Sequence, residues 1–248
     1  MDQKNAERHL LSYARRAIDD YHMIEEGDKI AVGVSGGKDS LALLYALCRL
    51  RIFYPKKFSL LAVTLDLGFP GMDFSPVEDI CRRLEVPLIV QKTDIKEIIF
   101  DIRKEKNPCS LCAKMRRGAL HDIAKANGCN KLALGHHKDD VLETFLLNLF
   151  YEGRLGTFSP VTYLDRKDIT VIRPMIYVQE CEVKSYVPAL SLTPIVNLCP
   201  ADKHTSREDM KEEIRELSQK HKDFRSKLFT AIQGSGLDRW GKDAGGNS

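Results

Sequence analysis

The sequence has no run of eighteen apolar residues, so it offers no membrane-spanning helix. Its first residues, Met-Asp-Gln-Lys-Asn-Ala-Glu-Arg, are polar and include acids, which reads as neither a signal nor a transit peptide. No internal repeat recurs, which sets repeat architectures aside. Net charge is scarce, because 38 basic against 35 acidic residues leave only +3. Two familiar phosphate-binding patterns are also missing. The Walker pattern needs four residues between its first glycine and Gly-Lys, then Ser or Thr; here three separate Gly33 from Gly37-Lys38, and Asp39 follows. The dinucleotide pattern fails because no third glycine stands three residues beyond Gly36 or Gly37. A second Cys-x-x-Cys pair is lacking too, which removes the usual tetrathiolate zinc site.

What is present is an ordinary balance for a soluble protein: 248 residues, 43% hydrophobic and 29% charged. That length suits one large α/β domain, or one with a small appendage. The seven cysteines are an odd number, and without a secretion signal they read as reduced cytosolic thiols available for metal. The expected location is therefore the cytoplasm. From Arg103 to Arg117 the local charge is +5, from Arg103, Lys104, Lys106, Lys114, Arg116 and Arg117 against Glu105, while the rest sums to −2. Positive charge gathered around one segment suits a polyanion.

The central stretch is Val34 to Ser40. An apolar run, Lys29 to Val34, predicts a buried strand before it, and Leu41 to Leu50 predicts a buried helix after it. A strand, a glycine turn and a helix start make an anion site, because the first helical amides have no intrahelical partner and carry partial positive charge. Gly36 and Gly37 permit close approach, Ser35 and Ser40 add hydroxyls, Lys38 adds a cation, and Asp39 is a candidate Mg²⁺ ligand.

Along the chain, a helical stripe at residues 5–25 puts Arg8, Arg15 and Arg16 on a solvated face. Strands are expected at residues 58–65, 86–90, 131–134 and 169–172, alternating with helices, which argues for a doubly wound, mostly parallel α/β sheet. Asp66 and Gly135 stand at strand ends, where open sheets place ligands; Asp66 reads equally as a ribose or adenine partner and as a turn aspartate. In the loop from Gly135 to Asp140, Asp140 is the candidate carboxylate near the chemistry and Asp139 the candidate helix cap, while loop histidines such as His136 and His137 more often serve neither as ligand nor as proton carrier. Helices are expected near residues 179–187, 205–220 and 223–232. The expected division is an N-terminal helix at 1–27, a domain at 28–233 and a flexible tail at 234–248.

Cys109 and Cys112 follow Asn107-Pro108, so they open a helix, where amides and cations favour thiolate. A lone pair of this kind is open to redox or metal roles. Cys48, Cys81, Cys129 and Cys181 read as small buried side chains. Cys199 lies in a Pro-flanked extended segment, 195–200, where a side chain can be aimed at a site; with the pair it would give three thiolates, suited to an iron–sulfur cluster with one open iron.

The segment Ser35–Ser40 resembles the PP-loop of the N-type ATP pyrophosphatases, whose domain belongs to the adenine nucleotide alpha hydrolase-like folds. With Cys109/Cys112, the 135–140 loop and Cys199 in this order, the chain resembles the tRNA 2-thiocytidine synthetases, the TtcA family. The resemblance implies a [4Fe–4S] cluster on Cys109, Cys112 and Cys199, with ATP and Mg²⁺ at the PP-loop. It implies thiolation of cytidine 32 through an adenylate, with sulfur delivered by way of the cluster. The catalytic set implied is Lys38, Asp39, Asp140 and the three cysteines. Expected partners are the anticodon loop of a tRNA and a sulfur donor such as a cysteine desulfurase, with a homodimer also open and no membrane. Related 2-thiouridine enzymes carry cysteine-rich modules at both ends, which this sequence lacks. They also have a lysine where Arg116 stands, and a permanently charged guanidinium provides charge, not a base. Two other readings keep fewer of these features: a PP-loop thiolase acting on a tRNA uridine or a small molecule, and a non-catalytic metal–thiolate or redox-sensing module.

Overall fold

The computed structural model describes residues 2–105, 108–200 and 206–241. Its centre is a six-stranded sheet in the order β3-β2-β1-β4-β6-β5. The strands are β1 (Asp28–Gly33), β2 (Phe58–Asp66), β3 (Leu88–Lys92), β4 (Lys131–Ala133), β5 (Val161–Leu164) and β6 (Ile169–Ile172). All neighbours are parallel except β5, which runs antiparallel to β6. The strands expected around 58–65, 86–90, 131–134 and 169–172 are present, and β5 is an edge strand that the sequence pattern did not reveal. It is four residues long and none of them is fully buried, so it lacks the apolar run that marks the others.

Period-two alternation divides the strands between two layers. Ile30, Val32, Leu60 and Ala62 face the larger core, whereas Ala31, Leu61 and Val63 face the smaller one. The smaller layer is covered by α4 (Pro108–Ala126) through Leu120, Ile123 and Ala124. The larger is covered by α1 (Gln3–Asp20), α2 (Lys38–Phe53), α3 (Ser75–Arg83), α5 (Lys138–Glu152) and α6 (Glu180–Ala189), with α7 (Ser206–Lys220) and α8 (Phe224–Gly234) packed outside α5. Helix α2 is buried nearly all round, as its unbroken apolar sequence requires. No helix among the described residues is long and apolar enough to cross a membrane.

Two expected boundaries change. Helix α1 is not a separate unit, since Ala6, Leu10, Ala14, Ala17 and Ile18 are fully buried in the main core. The flexible tail placed at 234–248 is not one as far as residue 241. A short 3₁₀ turn at Leu237–Arg239 brings Trp240 to full burial against Tyr21 and Phe229, at ring distances of 6.0 and 5.6 Å. Its Nε1 donates to the Phe158 carbonyl at 3.0 Å, and Asp238 Oδ2 accepts from the Thr157 amide at 2.7 Å. Residues 242–248, the start of the helix expected from 205, and Lys106 of the basic cluster lie outside the described residues.

Candidate active site

Strand order reverses between β1 and β4, so the loops leaving these neighbours flank a crevice at the carboxyl end of the sheet. Ser35 to Ser40 leaves β1, and Gly135 to Asp140 leaves β4. They meet closely: a Cβ on Gly135 would lie 3.0 Å from the Asp39 carbonyl oxygen and 3.2 Å from the Ser40 nitrogen. A side chain there would press on the Asp39–Ser40 backbone, which would have to give by a few tenths of an ångström.

The loop after β1 is braced from within. Ser35 Oγ donates to Ser40 Oγ at 3.2 Å, Ser40 Oγ donates to the Gly37 carbonyl at 2.9 Å, and the Gly37 amide approaches Ser35 Oγ at 3.4 Å. Gly36 has φ +79°, a conformation that favours glycine. Helix α2 begins with Gly37 as its N-cap and no side-chain cap, so its first amides are left facing the crevice. That is the electrostatics of an anion cradle. Lys38 Nζ contacts Asp39 Oδ2 at 2.8 Å and Glu180 Oε1 at 3.0 Å. Burial works against its charge, but the two carboxylates outweigh it and raise the Lys38 pKa.

Asp39 Oδ1 is buried and accepts no hydrogen bond. His137 Nε2 lies 3.7 Å from it. The buried, unsatisfied carboxylate oxygen beside an uncapped helix start fits a cation-bound phosphate. His137 is the N-cap of α5, where its Nδ1 accepts from the Asp140 amide at 3.2 Å and Asp140 Oδ2 accepts from the His137 amide at 2.9 Å. With Nδ1 accepting, the ring hydrogen sits on Nε2, towards Asp39. The cap expected of Asp139 is made by Asp140 instead. Asp139 is buried and ties α5 to α6 and α8, accepting from the Glu180 amide at 2.7 Å and from Arg225. Burial opposes ionisation of Asp140, but the Arg207 charge and the hydrogen bond from the His137 amide hold its pKa below the usual range. Arg207 Nη1 reaches Asp140 at 2.8 Å.

His136 has a separate setting. Arg173 Nε donates to its Nδ1 at 3.2 Å, and its ring lies 4.8 Å from that of Phe158. Burial, then the Arg173 charge, pull its pKa down to about 3, so it is a neutral ring with its hydrogen on Nε2. Asp66 Oδ1 accepts from the Gly68 amide at 2.9 Å, which is the turn role.

On the other layer Cys109 and Cys112 occupy the first turn of α4, both half-buried. Cys199 is half-buried in the irregular stretch after α6. Cys112 lies within electrostatic reach of both Cys199 and Cys109. The expectation of a thiolate-favouring environment is reversed for Cys112: burial raises its pKa, and Arg116, though bonded to it, does not overcome this. Among the described residues no three His, Cys, Asp or Glu side chains are drawn together closely enough to hold one metal ion. A cubane binds its thiolates on separate irons, so the chemistry of this three-sulfur donor set fits a cluster better than an ion. Cys48, Cys81 and Cys129 are buried as expected, but Cys181 is exposed, because it sits on the outer side of the first turn of α6.

The stretch bearing Cys199 touches the glycine turn directly: the Ile195 amide donates to the Gly36 carbonyl at 3.0 Å. This contact, Glu180 beside Lys38 and Arg173 beside His136 carry no local motif and depend on the folded chain for their meaning.

A family model for the PP-loop domain matches residues 5–218. The tRNA-cytidine(32) 2-sulfurtransferases of Syntrophotalea carbinolica and Pelobacter propionicus are each 42% identical over 228 residues, 91% of this chain and 88% and 85% of theirs. Among solved structures, the U34-tRNA thiolase NcsA of Methanococcus maripaludis with its [4Fe-4S] cluster is similar in fold, with a TM-score of 0.74 at 21% identity, covering 94% of this chain and 82% of that one. On these likenesses the chain belongs to the PP-loop domain family and, within it, to the family of the tRNA-cytidine(32) 2-sulfurtransferases.

Proposed function

We propose that the protein is an ATP-dependent tRNA sulfurtransferase that converts cytidine 32 to 2-thiocytidine. The observation that carries this reading is the joining of an uncapped helix start to the segment of the third cysteine through the Ile195–Gly36 hydrogen bond. The names of its relatives supply the base and the reaction.

In this reading the phosphates of ATP lie against the amides at the start of α2, with Mg²⁺ at Asp39 and Lys38 balancing the charge that builds on pyrophosphate. Asp66 and Gly135 flank the nucleoside. The C2 oxygen of cytidine bonds to the α-phosphorus, the bond to the bridging oxygen breaks, and pyrophosphate leaves. That oxygen, a poor leaving group before, now departs within AMP when sulfur bonds to C2. Sulfur supplied as sulfide makes the substitution redox-neutral; sulfur carried as a persulfide by a cysteine desulfurase reaches that level only with two electrons from a thiol, which ends as a disulfide. A [4Fe–4S] cluster held by Cys109, Cys112 and Cys199 would supply an open iron position for that sulfur. Asp140 and His137 close the cap of α5, which leaves the His137 ring 3.7 Å from the Asp39 carboxylate. Arg116 balances thiolate charge. Exposed Arg103, Lys104, Lys114 and Arg117 meet tRNA phosphates, and the target base is unstacked from its loop to enter the crevice.

Nucleoside mass spectrometry on tRNA from a strain deleted for the gene tests the reading. Loss of 2-thiocytidine, restored by the wild-type gene, is expected. Loss of a 2-thiouridine instead would move the substrate to uridine, and an unchanged nucleoside profile would overturn the assignment.

A further inference from the structure

Ile195 makes two different contacts with the glycine turn. Its amide donates to the Gly36 carbonyl at 3.0 Å. Its side chain occupies the space where glycine has no Cβ, since a Cβ on Gly36 would lie 2.4 and 2.5 Å from Ile195 Cγ1 and Cδ1. The side chain is half-buried against the main core. From there the chain runs to Cys199 without regular structure. Two smaller contacts steady this short span: Leu198 Cδ1 lies over Gly71, 3.6 Å from where a Cβ would stand, and Asn197 Oδ1 accepts from the Cys199 amide at 3.1 Å.

The peptide between Gly36 and Gly37 is the shared element. A peptide group is planar, so its N–H and C=O point in opposite directions and turn together. On one side the Gly37 amide faces the cradle, held only by a long contact to Ser35 Oγ at 3.4 Å. On the other, the Gly36 carbonyl receives Ile195. With glycine at both ends this plane has unusual rotational freedom. A phosphate that accepts from the Gly37 amide fixes the plane and, with it, the carbonyl that Ile195 needs.

We propose that Ile195 is a positioning residue that couples the phosphate cradle to the placement of Cys199, so that nucleotide binding orders the segment bearing the third thiol. The inference rests on the reading of the cradle as an ATP site. It gives the enzyme a reason to present its sulfur site in working geometry only when ATP is in place. Ligands shift such an equilibrium only through contacts that differ between its states, and the Gly36–Gly37 peptide supplies that difference.

Hydrogen exchange read by mass spectrometry on the full chain, with and without Mg²⁺ and a non-hydrolysable ATP analogue, tests it. Calorimetry on the same samples reports whether the analogue binds. The expected result is exchange across residues 192–198 slowed roughly five- to tenfold by the analogue, the factor that one secured hydrogen bond provides. Ile195→Pro, which has no N–H to donate to the Gly36 carbonyl, should bind the analogue yet lose that slowing, and Ile195→Ala, which keeps the N–H, should retain it. In the iron-free chain, alkylation of Cys199 should slow in parallel while exposed Cys181 serves as the internal reference. If the analogue binds wild type and neither exchange nor alkylation responds, the coupling is refuted while the ATP reading stands. If Ile195→Pro responds as wild type does, the Ile195 hydrogen bond is not the coupling element. If the analogue does not bind, the ATP reading fails and the inference fails with it. The wild-type comparison alone decides the matter should Ile195→Pro not fold.

Discussion

Lys38 Nζ lies 3.0 Å from Glu180 Oε1, which brings the first residue of α6 against the first residue of α2. Burial disfavours a charged Glu180, yet Lys38 holds its pKa down to about 2. Phosphate and Glu180 compete for one ammonium. Replacing Glu180 with Gln should therefore tighten ATP binding by roughly three- to tenfold, read by calorimetry. The same variant should alter acid stability. Glu180 has a folded pKa below its unfolded value of 4.5, so its contribution is present above 4.5 and is lost as pH falls towards about 2. Thermal unfolding across that window should fall less steeply for Glu180→Gln than for wild type.

Glu143 has the opposite sign. It is 1% exposed, its Oε2 accepts no hydrogen bond, and it lines a cavity of about 290 Å³ with Asp139, Lys211 and Arg225. Burial, then Asp140, push its pKa up to about 8 against the pull of Arg207. The folded state binds a proton there that the unfolded state releases above 4.5. Stability is therefore fully present below 4.5 and declines as pH rises to about 8. Glu143→Gln should remove this decline and be more stable than wild type at pH 8, by a few kcal/mol to order of magnitude. Denaturant melts at pH 5 and 8 check it.

The C-terminal turn should matter for stability and for the site together. Trp240 is the only tryptophan and is fully buried. Trp240→Ala should cost about 3–5 kcal/mol, measured by denaturant unfolding. Because its indole donates to the Phe158 carbonyl, and Phe158 lies against both His136 and Arg173, activity should fall more than the loss of folded protein explains.

Cysteine variants separate the half-buried trio from the exposed thiol. Cys199→Ala should lose bound iron and thiolation together, whereas Cys181→Ala should keep both, measured by iron content and by nucleoside analysis. Thiolation that survived in Cys199→Ala would remove it from the site.

The glycine turn was legible because its chemistry is local: Ser35 to Ser40 holds every group the cradle uses. The helix opening at Cys109 was legible for the same reason, from Pro108 and the spacing of the thiols. Strand β5 was not, being short and only partly buried. Trp240 was hidden in a stretch rich in glycine, where one aromatic side chain outweighed the local signal for a loose end. The shift of the cap from Asp139 to Asp140 shows the limit of local reading. Both neighbours are equally good cap residues by type, and the choice was made by what surrounds them: His137 beside Asp140, and Arg225 with the Glu180 amide around Asp139. Glu180 and Ile195 owe their place in the site to chain crossings that no spacing rule encodes.

The most direct measurement counts products in a single reaction of the iron-loaded protein with ATP, a sulfide source and unmodified tRNA. The account predicts one AMP and one pyrophosphate for each 2-thiocytidine formed, all dependent on tRNA, with Lys38→Ala lowering the three together by about 100- to 1,000-fold. Release of ADP in place of AMP, or AMP formed without the thionucleoside, would contradict it.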